Sequence, residues 1–151
     1  ARLVHTWLHE GARGVTWLDC LQGVLSGVAV SCSTDGAVLL LDAASGGVAR
    51  RVDACAAHGN KAPHMCAVPG PGALATAAGG MRPAGPCDVF LTAAADSAVV
   101  LWDVRASRCA ARFTGHVNRR EKVGCAFSPC MRYVAAGSED AQARLYDLRR
   151  A

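Results

Sequence analysis

The sequence predicts an all-β fold made of small antiparallel sheets that repeat along the chain, on two observations. One hairpin pattern occurs three times, as SCSTDGAVLLLDA from Ser31, TAAADSAVVLWDV from Thr92 and AAGSEDAQARLYDL from Ala135. In each copy a turn aspartate (Asp35, Asp96, Asp140) is followed six residues later by a large apolar or aromatic residue (Leu41, Trp102, Tyr146), and the next residue is again aspartate (Asp42, Asp103, Asp147). Each hairpin is also flanked by further short strand candidates, which raises the unit to four strands. A repeat of this kind governs the whole fold, because one unit cannot bury its apolar faces without a neighbour.

The elements follow in order. Leu3 to Leu8 reads as a strand already under way, and Gly14 to Cys20 as the first strand of a unit. The hairpin at Thr34-Asp35-Gly36 has apolar strands on either side of turn-forming residues, and Val48 to Val52 completes the set. The second unit uses His64 to Val68, the hairpin at Asp96, and Cys109 to Phe113; the third uses Val123 to Phe127 and the hairpin at Asp140. Asp96 lies 61 residues beyond Asp35, whereas Asp140 lies 44 beyond Asp96, so residues 69–87, PGPGALATAAGGMRPAGPC, are an insertion in the second repeat. Their Pro and Gly content denies them ladder pairing and predicts a loop between the first and second strands of that unit. It is expected on the face opposite His58, shared with Arg105. The repeats fall at about 1–42, 43–103 and 104–147 of a single unit spanning 1–151.

These residues resemble the WD-repeat family. The third repeat carries the pattern most fully, with Gly115-His116, Phe127-Ser128-Pro129, Gly137-Ser138-Glu139-Asp140 and Tyr146-Asp147; the second has His58 and Trp102-Asp103; the first has His9 but Leu41 where tryptophan is expected. The resemblance covers nearly the whole chain and implies a β-propeller of four-stranded blades. On that reading the chain holds three repeats of an incomplete propeller. Leu3 to Leu8 would be the outer strand of a preceding blade, Ala143 to Leu148 would present an unpaired edge, and further repeats are expected on both sides. The isolated 151 residues are then expected to aggregate or oligomerise, since closure is what protects propeller edges.

Composition narrows the function. With 52% apolar and 19% charged residues the chain can build a packed core, and its net charge of +4 is mild. No apolar run approaches the roughly 20 residues that span a bilayer. The first ten residues lack the blocks of a secretory signal. The eight cysteines (20, 32, 55, 66, 87, 109, 125 and 130) are scattered through apolar stretches with no C-x-x-C pair, which predicts reduced core thiols in the cytoplasm and no metal site. No cofactor is implied.

By the family pattern, His58, Thr92, Asp96 and Trp102 form a complete buried network in the second repeat. His9, Ser31 and Asp35 form one lacking the tryptophan, and His116, Asp140 and Tyr146 one lacking the hydroxyl, because Ala136 stands in its place. A carboxylate that accepts from imidazole fixes its tautomer, and a hydroxyl can link imidazole to the indole N–H. The same residue types make a hydrolase triad. No G-x-S-x-G elbow presents Ser31 or Thr92 to a substrate, so a structural role and no enzyme are predicted.

Two further groups bear on partners. Arg119, Arg120 and Lys122 form a basic loop, and Arg50-Arg51 ends a strand; few aromatics accompany them, which disfavours nucleic acid. Trp102-Asp103-Val104-Arg105 and Tyr146-Asp147-Leu148-Arg149 resemble the W-D-x-R motif by which some WD proteins dock on the adaptor of cullin-RING ubiquitin ligases, through the arginine. The leading expectation is a protein–protein interaction scaffold, the alternatives being a ubiquitin-ligase substrate receptor and an RNA-binding propeller.

Overall fold

The computed structural model describes residues 3–21, 27–69, 89–106 and 108–150. Among them eleven strands form three antiparallel sheets. The first sheet is β1 (Val15–Cys20), β2 (Val28–Ser33), β3 (Ala37–Asp42) and β4 (Val48–Asp53), in that order. The second is β5 (Pro63–Ala67), β6 (Val89–Ala94), β7 (Ala98–Asp103) and β8 (Arg108–Thr114), and the third is β9 (Cys125–Phe127), β10 (Tyr133–Gly137) and β11 (Ala143–Asp147). These are propeller blades.

The recurring aspartates explain why the chain turns where it does. Asp35, Asp96 and Asp140 each accept, through Oδ1, the backbone N–H two residues on, at 3.1, 3.1 and 3.2 Å. The next residue in each turn is left-handed: Gly36 at φ 86°, Ser97 at 60° and Ala141 at 62°. An aspartate followed by one left-handed residue builds a short hairpin loop whose twist suits the flanking strands. Asp42, Asp103 and Asp147 repeat the device at the other end of the third strand, accepting from Ala44, Arg105 and Arg149 at 2.9, 2.8 and 3.0 Å. The second aspartate of the pattern is therefore a turn cap.

The middle strands of the first two blades are buried on both faces because each blade is flanked on both sides. Alternation then assigns neighbours: Phe90, Val100 and Trp102 join Val30, Val38 and Leu40 in the core between the first two blades, while Leu91, Ala93 and Val99 join Val134 and Ala136 in the core between the second and third. Among the described residues the two cores together hold 19 buried residues. At about 1.5–3 kcal/mol for each large apolar side chain, this stacking is the main stabilising contribution. Polar links reinforce it: Arg50 of β4 donates to Val104 O at 2.6 Å and Arg105 O at 2.9 Å, and His64 of β5 lies 3.1 Å from Val123 O.

Two expectations change. Leu3 to Leu8 is not a strand; it pairs with no described strand, and Leu3, Val4 and Leu8 are 76–80% exposed. His5 and His9 still face the first blade: the His5 ring lies against Gly46, and His9 reaches Ser31. The segment thus lies on the face of β2 and β3 that carries the buried Leu39 and Leu41. It is extended but lacks a strand to complete a ladder. The thiols also differ from a uniform core set: Cys32, Cys66 and Cys125 are buried, whereas Cys20, Cys109 and Cys130 are exposed, on edge strands and a turn. Of the insertion 69–87, residues 70–87 lie outside the described residues, and so do its face and Cys87.

Candidate functional site

The second blade holds the densest polar cluster. A 3₁₀ turn at Ala56–His58, closed by left-handed Gly59, places His58 beside the β6–β7 hairpin with its side chain fully buried. Its Nδ1 lies 3.1 Å from both Asp96 oxygens and its Nε2 lies 2.8 Å from Thr92 Oγ. Trp102 Nε1–H donates to that same Thr92 oxygen at 2.7 Å.

A single proton assignment satisfies every atom. Nδ1–H of a neutral imidazole donates to Asp96, the Thr92 hydroxyl donates to Nε2, and the Thr92 oxygen accepts from the indole. Burial lowers the His58 pKa from the ordinary imidazole value, against the pull of the Asp96 carboxylate, so the neutral form is favoured. Asp96 is closed off from above by Arg112, whose guanidinium donates to Oδ2 at 3.0 Å and to Ala57 O at 3.0 Å. The Trp102 ring stacks on Phe90 at 6.0 Å.

The other two sets are only partly assembled. In the first blade His9 Nε2 lies 2.8 Å from Ser31 Oγ, but His9 Nδ1 has no partner. Asp35 turns instead to Ser33, to Ala37 N at 3.1 Å and to Arg51 at 3.4 Å. In the third blade His116 Nδ1 lies 3.0 Å from Tyr146 OH, with Nε2 unpartnered, and Asp140 is taken by Arg144 at 2.9 Å. A phenol reaches farther than an indole N–H, so Tyr146 touches the histidine directly where Trp102 needs Thr92 as relay. Burial lowers the pKa of both His9 and His116.

Sequence reasoning missed the arginines that hold the turn aspartates. Arg51 and Arg112 stand 16 residues after Asp35 and Asp96, a shared offset that was available as a signal; Arg144 stands four after Asp140. It also missed Glu139. The backbone N–H groups of Arg119, Arg120 and Glu121 converge on Glu139 Oε1 at 2.6, 2.7 and 2.9 Å. These amides hold the Glu139 carboxyl below the usual range. The side chains of Arg119, Arg120 and Lys122 remain exposed. At the root of that loop Asn118 is fully buried, its backbone tied to Ser97 at 3.0 Å, while its side-chain amide has no partner.

The two W-D-x-R arginines are both exposed and follow the third strand of their blades, Arg105 in a turn and Arg149 in a 3₁₀ helix, Leu148–Arg150. The Arg149 guanidinium forks onto its own Asp147, at 3.3 Å to Oδ1 and 3.2 Å to Oδ2. Asp147 is in turn lowered to a pKa of about 2, chiefly by that contact. Among the described residues no group of three His, Cys, Asp or Glu side chains stands together as a metal site requires, and no helix is long and apolar enough to cross a membrane.

Stacked antiparallel sheets of four, four and three described strands, with aspartate-capped turns and a buried His-Thr-Trp relay in the second, define a class of architecture, the blades of a β-propeller. Residues 107–147 match the family described as WD domain, G-beta repeat, and the chain as a whole has the fold of WD40 propeller blades. Among solved structures it is similar to one described as the crystal structure of RRP9 WD40 repeats, with 13% identity and a TM-score of 0.68 over 99% of this chain and 38% of that one. The chain thus spans 38% of the length of that structure. WD40 repeats generally serve as protein-interaction scaffolds.

Proposed function

We propose that the chain is part of a non-catalytic protein-interaction scaffold, with the His58–Thr92–Asp96–Trp102 network acting as an internal strut. One observation carries this reading: the oxygen that a hydrolase would use as nucleophile is fully buried and doubly engaged, with Trp102 at 2.7 Å and His58 at 2.8 Å. A nucleophile needs one partner and an open approach. Thr92 has two partners and no opening.

Adaptor docking through W-D-x-R draws no support from Arg149, whose fork is occupied by Asp147. The RNA reading requires stacking partners beside the basic loop, and residues 117–124, VNRREKVG, contain no aromatic. The test compares Thr92→Ala with surface variants of the full chain. Thr92→Ala is expected to lower stability and to leave ester hydrolysis at background. Surface variants are expected to release bound protein partners at unchanged stability. Turnover abolished by Thr92→Ala without loss of stability would overturn the proposal.

A further inference from the structure

We infer that the loop from Asn118 to Lys122 is a docking site for an acidic peptide segment of a partner protein, and that Glu139 is the chain's own stand-in for that segment's carboxylate. The inference rests on the scaffold reading and gives it a location. Three successive backbone N–H groups aimed at a single oxygen form a concave anion site, and here that oxygen is a carboxylate's, at 2.6 to 2.9 Å. The site is preformed. Glu139 N donates to Val117 O at 2.8 Å, Val117 N donates to Ser138 Oγ at 2.8 Å, and Ser97 ties down Asn118 from the neighbouring blade.

The charges around the site point the same way. The turn aspartates of the three blades are already matched by Arg51, Arg112 and Arg144. The Glu139 carboxylate is engaged by the three backbone amides, while Arg119, Arg120 and Lys122 are exposed and opposed within the loop only by Glu121. A surplus of cations around a carboxylate-shaped cradle is complementary to an acidic strand. Nucleic acid is the weaker match, because phosphate contacts would find no aromatic in the loop on which bases could stack.

The experiment measures anisotropy of a fluorescent ten-residue Asp/Glu peptide titrated with the full chain at low and moderate salt. Binding is expected to weaken with salt. Joint replacement Arg119→Ala, Arg120→Ala and Lys122→Ala is expected to weaken it about tenfold at unchanged urea midpoint. Glu139→Gln removes the competing charge yet keeps an acceptor for the amides, and is expected to tighten binding roughly threefold. The inference is overturned if the triple variant binds within about twofold of the parent, if Glu139→Gln weakens binding, or if a ten-residue oligouridine binds more tightly than the peptide at equal salt. Failure of peptide binding while protein partners are still retained would remove this site and leave the scaffold standing. Threonine-dependent hydrolysis would remove the scaffold reading and, with it, the ground on which this site rests.

Discussion

Replacing Thr92 by valine keeps the volume and removes only the hydroxyl, which isolates the worth of the second-blade network. The loss leaves Trp102 Nε1–H and His58 Nε2 without partners in a site where His58 is fully buried and Trp102 is 4% exposed. Each of the two stranded groups costs about 1–3 kcal/mol, and the extra methyl returns about 0.8 kcal/mol, so the net loss is about 1–5 kcal/mol, centred near 3. Thr92→Ser keeps the hydroxyl and gives up one methyl, for about 1 kcal/mol. Urea denaturation of the full chain, followed by tryptophan emission, would place the valine midpoint about 1–2 M below the parent and well below the serine variant. Adding Trp102→Phe removes one of the stranded groups, so the double variant should lose less than the sum of the singles. A valine variant as stable as the serine one would refute the reasoning.

Other outcomes follow from the same geometry. Tyr146→Phe deletes the hydroxyl 3.0 Å from His116 Nδ1, leaving a buried imidazole with neither nitrogen partnered, and should cost about 1–3 kcal/mol in a urea titration. Ala141→Gly relieves a left-handed backbone at φ 62° and should raise the midpoint by about 0.5–1 kcal/mol equivalent, whereas Gly36→Ala should lower it sharply, because its new methyl meets the Cys55 side chain. Burial holds the folded pKa values of His9, His58 and His116 below the ordinary imidazole value, so the unfolded chain takes up these protons first as pH falls. Their contribution is fully present above about pH 6.5 and is lost below it, which predicts a lower urea midpoint at acid pH; a flat profile from neutral pH downward would contradict the neutral assignment.

The blades were legible in the sequence because their turn chemistry is local. An aspartate bonding two residues ahead is a short-range event, so Asp35, Asp96 and Asp140 mark hairpins whatever surrounds them. The second-blade network was legible for a related reason, since residue types at fixed offsets land on fixed positions once strand register is set. Where two partners compete for one carboxylate, the sequence could not decide the winner. The family pattern pairs Asp35 and Asp140 with histidines, yet they bond Arg51 and Arg144 without reaching an imidazole, whereas Asp96 bonds His58 and Arg112 at once. Leu3 to Leu8 has strand composition, but a strand is defined by its partner, and composition does not supply one. Glu139 escaped notice because backbone amides are its ligands, and backbone donors carry no sequence signature.

The three blades differ in how far the histidine network is completed, and that difference separates what specifies a blade from what strengthens it. All three share the aspartate-capped turns and the left-handed hairpin residue. Only the second has the full relay, while the first substitutes Leu41 for the indole and the third replaces hydroxyl and indole together by Ala136 and a phenol. Since the strands pair in equivalent register in each case, with Thr92 opposite Val100 and Ala136 opposite Arg144, the relay cannot be what sets the register. It adds rigidity to a blade already specified by turns and apolar alternation. The variable element is then the loop that carries the histidine into each blade. Its inner end is fixed by burial, and its outer end is free to carry charge, as Arg119, Arg120 and Lys122 do.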